Sequence, residues 1–122
     1  MVLAAIFDPA GSVSGWAEAD RLYSPSGRVI GWVRAGGVYS LAGMHVGWLE
    51  RGHFRDDRGC VVAWTPLALG GPRKPATQHD SRPASPAGAP VHPSYSRRMA
   101  RIPFLPSWSS ESWKSYLGDS TP

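Results

Sequence analysis

Written in sixteens from residue 6, the first half of the chain repeats itself as "IFDPAGSVSGWAEADR", "LYSPSGRVIGWVRAGG", "VYSLAGMHVGWLERGH" and "FRDDRGCVVAWTPLAL". Gly11, Gly27, Gly43 and Gly59 share one column, Trp16, Trp32, Trp48 and Trp64 another, and no insertion shifts either. Self-similarity at a fixed period marks a repeat architecture, in which one supersecondary unit is packed against its own copies.

Each unit reads as a β-hairpin. Asp8-Pro9-Ala10-Gly11 and Ser24-Pro25-Ser26-Gly27 set an Asp or Ser at the first turn position, a proline with φ already fixed at the second, and glycine where a left-handed residue follows. That is the three-residue hairpin loop closed by a glycine bulge. A short β-rich run such as Arg28 to Val33 follows, and a polar turn such as Arg34-Ala35-Gly36-Gly37 leads to the next unit.

Strict alternation from this turn predicts two faces. Ile6, Leu22, Val38 and Phe54, with Ser14, Ile30, Val46, Val62 and the four tryptophans, fall on one. Phe7, Tyr23, Tyr39 and Arg55 fall on the other, with Val13, Val29, His45, Val61 and the Gly/Ala column. Only Ser14 interrupts the first face, which is therefore expected inside, with the tryptophans around the axis. An open stack would leave two edges ready to pair with other chains, and neither terminal repeat looks like a cap. The expected fold is all-β: a shallow closed eight-stranded antiparallel barrel of four 16-residue β-hairpin repeats with four-fold pseudo-symmetry, spanning residues 1–69.

The rest of the chain has another character. Residues 1–69 carry six arginines against six acids, so the formal +4 belongs to residues 70–122. Nine prolines between residues 66 and 106, among Gly, Ala, Ser and Arg, predict a disordered Pro/Arg-rich linker over 70–106. As a flexible coil it would span about 35 Å, enough to reach back across the barrel. The segment 107–118, within "PSWSSESWKSYLGDSTP", predicts a short helix capped by Ser109, stapled by Trp108 and Trp113 and ended by Gly118. Trp113, Tyr116 and Leu117 would share one face. Too short to be stable alone, this peptide is expected to dock on its own barrel, a partner or a lipid surface.

The pattern Gly-x-x-Val-Gly-Trp with an aromatic-led turn, four times over, followed by a Pro/Arg-rich linker and "SWSSESWKSYL", resembles the four-fold β-flower proteins of bacteria. The resemblance covers the repeat block and the organisation of the tail. It implies a shallow symmetric barrel with a hydrophobic central channel, similar to the Tubby C-terminal barrel without its central helix, and supplies only an analogy for function. Arg55, Ala63 and Ser14 depart from the repeat columns and break strict symmetry.

No catalytic constellation emerges, so the chain is not expected to be an enzyme, and no cofactor or metal is expected. His45, His53 and Cys60 match no zinc spacing; Asp8, Asp56 and Asp57 suit turn capping; His79 and His92 fall in the linker. The single cysteine excludes an intramolecular disulfide, the N-terminus has no signal-peptide pattern, and no apolar run is long enough to span a bilayer. A cytoplasmic protein is expected, with a peripheral place at the membrane left open. Seven positive charges spread over more than fifty residues make a weak polyelectrolyte, so nucleic acid is not an expected partner.

The leading expectation is a non-enzymatic binding module. Its channel, lined by Trp16, Trp32, Trp48, Trp64, Ile6, Leu22, Val38, Phe54, Ile30, Val46 and Val62, would take an acyl chain or membrane lipid. The alternative is a protein-interaction adaptor with a filled core, docking a partner protein through Trp108, Trp113, Tyr116 and Leu117.

Overall fold

The computed structural model describes residues 4–77 and 91–118; residues 78–90 of the expected linker and both chain ends lie outside the described residues. The strands are β1 (Ala4–Phe7), β2 (Val13–Glu18), β3 (Arg21–Tyr23), β4 (Val29–Arg34), β5 (Gly37–Ser40), β6 (His45–Glu50), β7 (His53–Arg55) and β8 (Val61–Trp64). They pair antiparallel in chain order and close into a barrel, β8 meeting β1 at Phe7 and Trp64. One helix, α1 (Trp113–Leu117), follows among the described residues. No helix among the described residues is long and apolar enough to cross a membrane.

The hairpin loops have the expected chemistry. Gly11, Gly27, Gly43 and Gly59 sit at φ between 83° and 94°. Asp8 Oδ1 accepts from the N–H groups of Ala10 and Ser12, and Asp56 Oδ1 from those of Arg58 and Cys60. Between repeats, Ala35–Gly36 and Arg51–Gly52 place two consecutive residues at positive φ, the twist a two-residue hairpin turn requires.

Strict alternation fails at one place in every repeat. Phe7 pairs with Val13 but Ile6 pairs with Gly15, which leaves Ser14 as an extra residue. The same shift isolates Ile30, Val46 and Val62. A bulge of this kind lets two successive side chains fall on the same side and reverses the parity of everything after it. The glycine column therefore turns inward opposite Ile6, Leu22 and Val38, and the tryptophans turn outward. This corrects the expected ring of indoles around the axis.

Two separate apolar layers result. The inner one joins Ile6, Leu22, Val38, Phe54, Ile30, Val62 and Ala63 to Trp113, Tyr116 and Leu117, with Ala17, Val33, Val46 and Leu49 against it. The outer one holds Trp16, Trp32 and Trp64 with Phe7, Tyr23, Tyr39 and Val29. All four indoles are nonetheless buried, because neighbouring turns and the C-terminal chain cover them. Trp32 Nε1 donates to Leu41 O, and Trp64 Nε1 donates to Asp8 O across the seam between β8 and β1.

The described part of the linker has no helix or strand, in keeping with its prolines, yet it runs against the outer face. Its backbone meets loop glycines: Ala76 lies on Gly11, Pro93 and Ser94 on Gly43, and Pro103 on Gly59. Ser96 N–H donates to Gly43 O at 2.8 Å and Leu105 N–H to Gly59 O at 3.0 Å. Its aromatic rings cover the outer layer, His92 on Trp32 at 4.2 Å between centroids, Tyr95 on Tyr39 at 4.9 Å and Phe104 on Trp48 at 6.1 Å.

Candidate functional site

A barrel of eight strands has an interior that side chains can just fill, or that can hold one small ligand. Here the interior is shared between the wall and α1, whose residues Trp113, Tyr116 and Leu117 are 6, 3 and 2 % exposed. The resemblance implied a channel without a central helix; in this chain a helix occupies the axis. Its five residues are too few for stability in water, so the helix owes its existence to this seat.

The seat is made by missing side chains. A Cβ on Gly15 would lie 3.5 Å from Trp113 Nε1, one on Gly31 3.2 Å from Leu117 Cδ2, and one on Gly47 2.9 Å from Tyr116 Cε1. Gly31 and Gly47 thus leave the room that Leu117 and Tyr116 take, whereas at Gly15 the distance to Trp113 is an ordinary contact and the Tyr23 carbonyl is the close neighbour. Phe54, the largest residue of its column, meets the Trp113 ring edge-on at 4.9 Å, and Trp113 in turn stacks on Tyr116 at 5.7 Å. One hydrogen bond fixes depth: Tyr116 Oη donates to the buried Arg55 O at 2.8 Å. Burial pushes the Tyr116 phenol well above its ordinary pKa, so it stays a donor across the physiological range.

The chain reaches this position along β8. Val61 N–H donates to Ser107 O and Ser109 N–H to Val61 O, a parallel bridge that carries Trp108 past the strand. Ser109 Oγ donates to Asp56 Oδ2 and accepts from Glu111 N–H. Because Ser109 is committed to the barrel, the helix cap falls three residues later than expected, at Ser112, which accepts from Ser115 N–H at 3.1 Å. Gly118 ends the helix at φ 68°, where its N–H reaches the Lys114 and Ser115 carbonyls. The Glu111 carboxyl is raised above its ordinary value, first by burial and then by the charges of Asp56 and Asp57.

The residues singled out from the sequence divide cleanly. Ile6, Leu22, Val38, Phe54, Ile30, Val46 and Val62 line the channel, and Trp113, Tyr116 and Leu117 fill it. Trp16, Trp32, Trp48 and Trp64 do not touch it, and Trp108 stays half-buried beside the outer aromatic layer. Alternation missed Gly15, Gly31 and Gly47, although glycine recurring inside a strand is itself a signal of close backbone approach. Beside the helix, at the mouth ringed by the loops of Asp8 and Pro25, a recess of 530 Å³ remains open between Val13, Ser14 and residues 109–114. Among the described residues no group of three His, Cys, Asp or Glu side chains is placed to hold a metal ion.

A family model described as "4-fold beta flower protein" matches residues 4–117, the barrel and the seated helix together. No curated protein and no solved structure matches the chain.

Proposed function

The chain belongs to the 4-fold beta flower proteins, and from that premise we propose that it is a non-enzymatic binding module whose channel takes an acyl chain, with its own helix α1 as the resident occupant. The observation that carries this reading is the seat itself. An apolar channel holds a five-residue helix through Trp113, Tyr116 and Leu117 and through the hydrogen bond from Tyr116 to Arg55 O. Because the helix is held by this packing and not by a stability of its own, an apolar occupant that replaces the contacts of Trp113, Tyr116 and Leu117 releases it. The Ile, Leu, Val and Phe wall offers such an occupant apolar contact along its length. On this reading the tryptophans bind nothing in the channel; they hold the outer layer together.

A second reading keeps the core permanently filled and makes the chain a protein-interaction adaptor. The near-complete burial of Trp113, Tyr116 and Leu117 supports a filled core. It also leaves those three side chains unable to dock a partner until the helix is withdrawn.

The test is uptake of dodecanoate by the full chain and by a Trp113→Ala/Leu117→Ala variant, followed by calorimetry. The acyl reading expects weak uptake by the native chain, saturable and chain-length-dependent uptake by the variant, and exposure of Trp113 as the native chain is saturated. A folded variant that takes up no fatty acid of any length overturns it in favour of the filled core.

A further inference from the structure

We propose that the outer face of the barrel carries an acid-sensitive latch, in which His45 and His53 hold two stretches of the C-terminal chain, 96–99 and 70–74, against the sheet only while both imidazoles are neutral. The latch is independent of what the channel binds.

At His45 the geometry specifies the tautomer. Met99 N–H donates to His45 Nδ1 at 2.9 Å, so Nδ1 must carry a lone pair and the ring proton must sit on Nε2. The same residue's N–H donates to Ser96 Oγ at 2.8 Å, fastening the strap at two points. The residue is 6 % exposed, its ring lies between Tyr39 and Trp48, and Nε2 has no hydrogen-bond partner among the described residues. The charged group facing it is Arg98 of the strap, whose guanidinium is tied to Tyr39 Oη and Ala35 O. A proton on Nδ1 sets one N–H against another and a second positive charge beside Arg98.

His53 is fully buried, and neither ring nitrogen has a hydrogen-bond partner among the described residues. Gly71 lies directly over it: a Cβ there would stand 2.9 Å from His53 Nε2 and 3.4 Å from Lys74 Nζ. Three charged groups face the ring, Lys74 from the strap, Arg55 from β7 and Glu50 from the end of β6. Glu50 already serves Arg51 at 3.6 Å and Arg55 at 3.8 Å, so protonated His53 would be a third cation sharing one carboxylate. Packing alone does not ask for an imidazole at either position. The equivalents of His45 in the other repeats are Val13, Val29 and Val61, and those of His53 are Ala5, Arg21 and Gly37.

Burial, as the largest cause, and the neighbouring cations hold both imidazoles below their ordinary value, against the opposing pull of the Gly47 carbonyl at His45 and of Glu50 at His53. The sign follows. A released ring takes up a proton near pH 6.5, about the ordinary histidine value, while a held ring resists it. The straps are therefore fully held above that pH. They weaken as pH falls below it and let go as it passes the depressed values.

The experiment is amide exchange by NMR on the full chain between pH 7.5 and 5, expressed as protection factors. Ser96 and Met99 report one strap, and Leu69, whose N–H donates to Arg51 O, reports the root of the other. Val33 and Leu49, bonded to Asp20 O and Gly36 O, report the barrel. Strap protection is expected to fall about tenfold per pH unit below pH 6.5 while barrel protection holds. A His45→Val/His53→Gln variant is expected to lose that dependence. Titration of the two rings in the native chain gives a second readout that needs no variant, with both midpoints expected below 6.5 and coincident with strap opening. Rings that titrate at the ordinary value without loosening the straps overturn the latch. So does a barrel that loses protection in step with the straps, or pH dependence that survives in the variant.

Discussion

Gly47 lies in the middle of β6, where most other residues would serve a strand better. What lies above it leaves no room for a side chain: a Cβ would collide with the Arg55 carbonyl and with the Tyr116 hydroxyl, which are themselves hydrogen-bonded. Gly31 is crowded in the same way by Tyr39 O at 2.9 Å and by Leu117. The fourth repeat carries Ala63 instead, at the strand that meets β1 through a single register pair. Gly47→Ala is expected to destabilise the native chain by about 1–3 kcal/mol, the usual cost of overpacking, read as a shift of the urea midpoint. Tyr116→Phe, which removes one buried hydrogen bond and adds no bulk, is expected to cost about 1–2 kcal/mol. If Gly47→Ala costs a chain ended after Pro106, which lacks the helix, as much as it costs the native chain, the collision is with the Arg55 carbonyl alone and the notch is not what seats the helix.

At the scale of elements, the four bulges and the helix explain what the sequence could and could not tell. Period, turn chemistry, strand number and closure were all legible, because glycine at φ near +90° and Asp or Ser capping its own turn leave local signatures. The bulge was not. Ser14, Ile30, Val46 and Val62 are ordinary strand residues, and only pairing with the neighbouring strand reveals that one of them is supernumerary. Missing it exchanged the tryptophan and glycine columns between inside and outside. The cap at Ser112 was hidden for a related reason, since Ser109 is drawn away by Val61 and Asp56, residues fifty positions earlier. Ser112→Ala is expected to weaken the seated helix by about 1 kcal/mol. The measurement is faster exchange of the Tyr116 amide, which donates to Ser112 O, with Val33 unchanged. Equal loss at both amides would mean that helix and barrel open as one unit.

Taken whole, the molecule is a barrel with material on both sides of its wall, the helix within and the strap without, both supplied by the same C-terminal chain. A chain ended after Pro106 keeps the strap and loses the helix. It is expected to lose about 2–4 kcal/mol, the apolar burial of three large side chains less the entropy of ordering them, and to gain binding of an apolar dye in the vacated channel. Unchanged stability and no dye uptake would show that the wall collapses to fill its own centre. Rotational symmetry adds one more consequence. A perfectly four-fold socket would offer an asymmetric helix four equal orientations, a degeneracy that leaves the occupant without a defined heading. Phe54 against Trp113, the Arg55 carbonyl under Tyr116 and the bridge at Val61 all belong to one quadrant. The imperfections of the last repeat act as a compass mark, and they give a symmetric barrel a single way to be occupied.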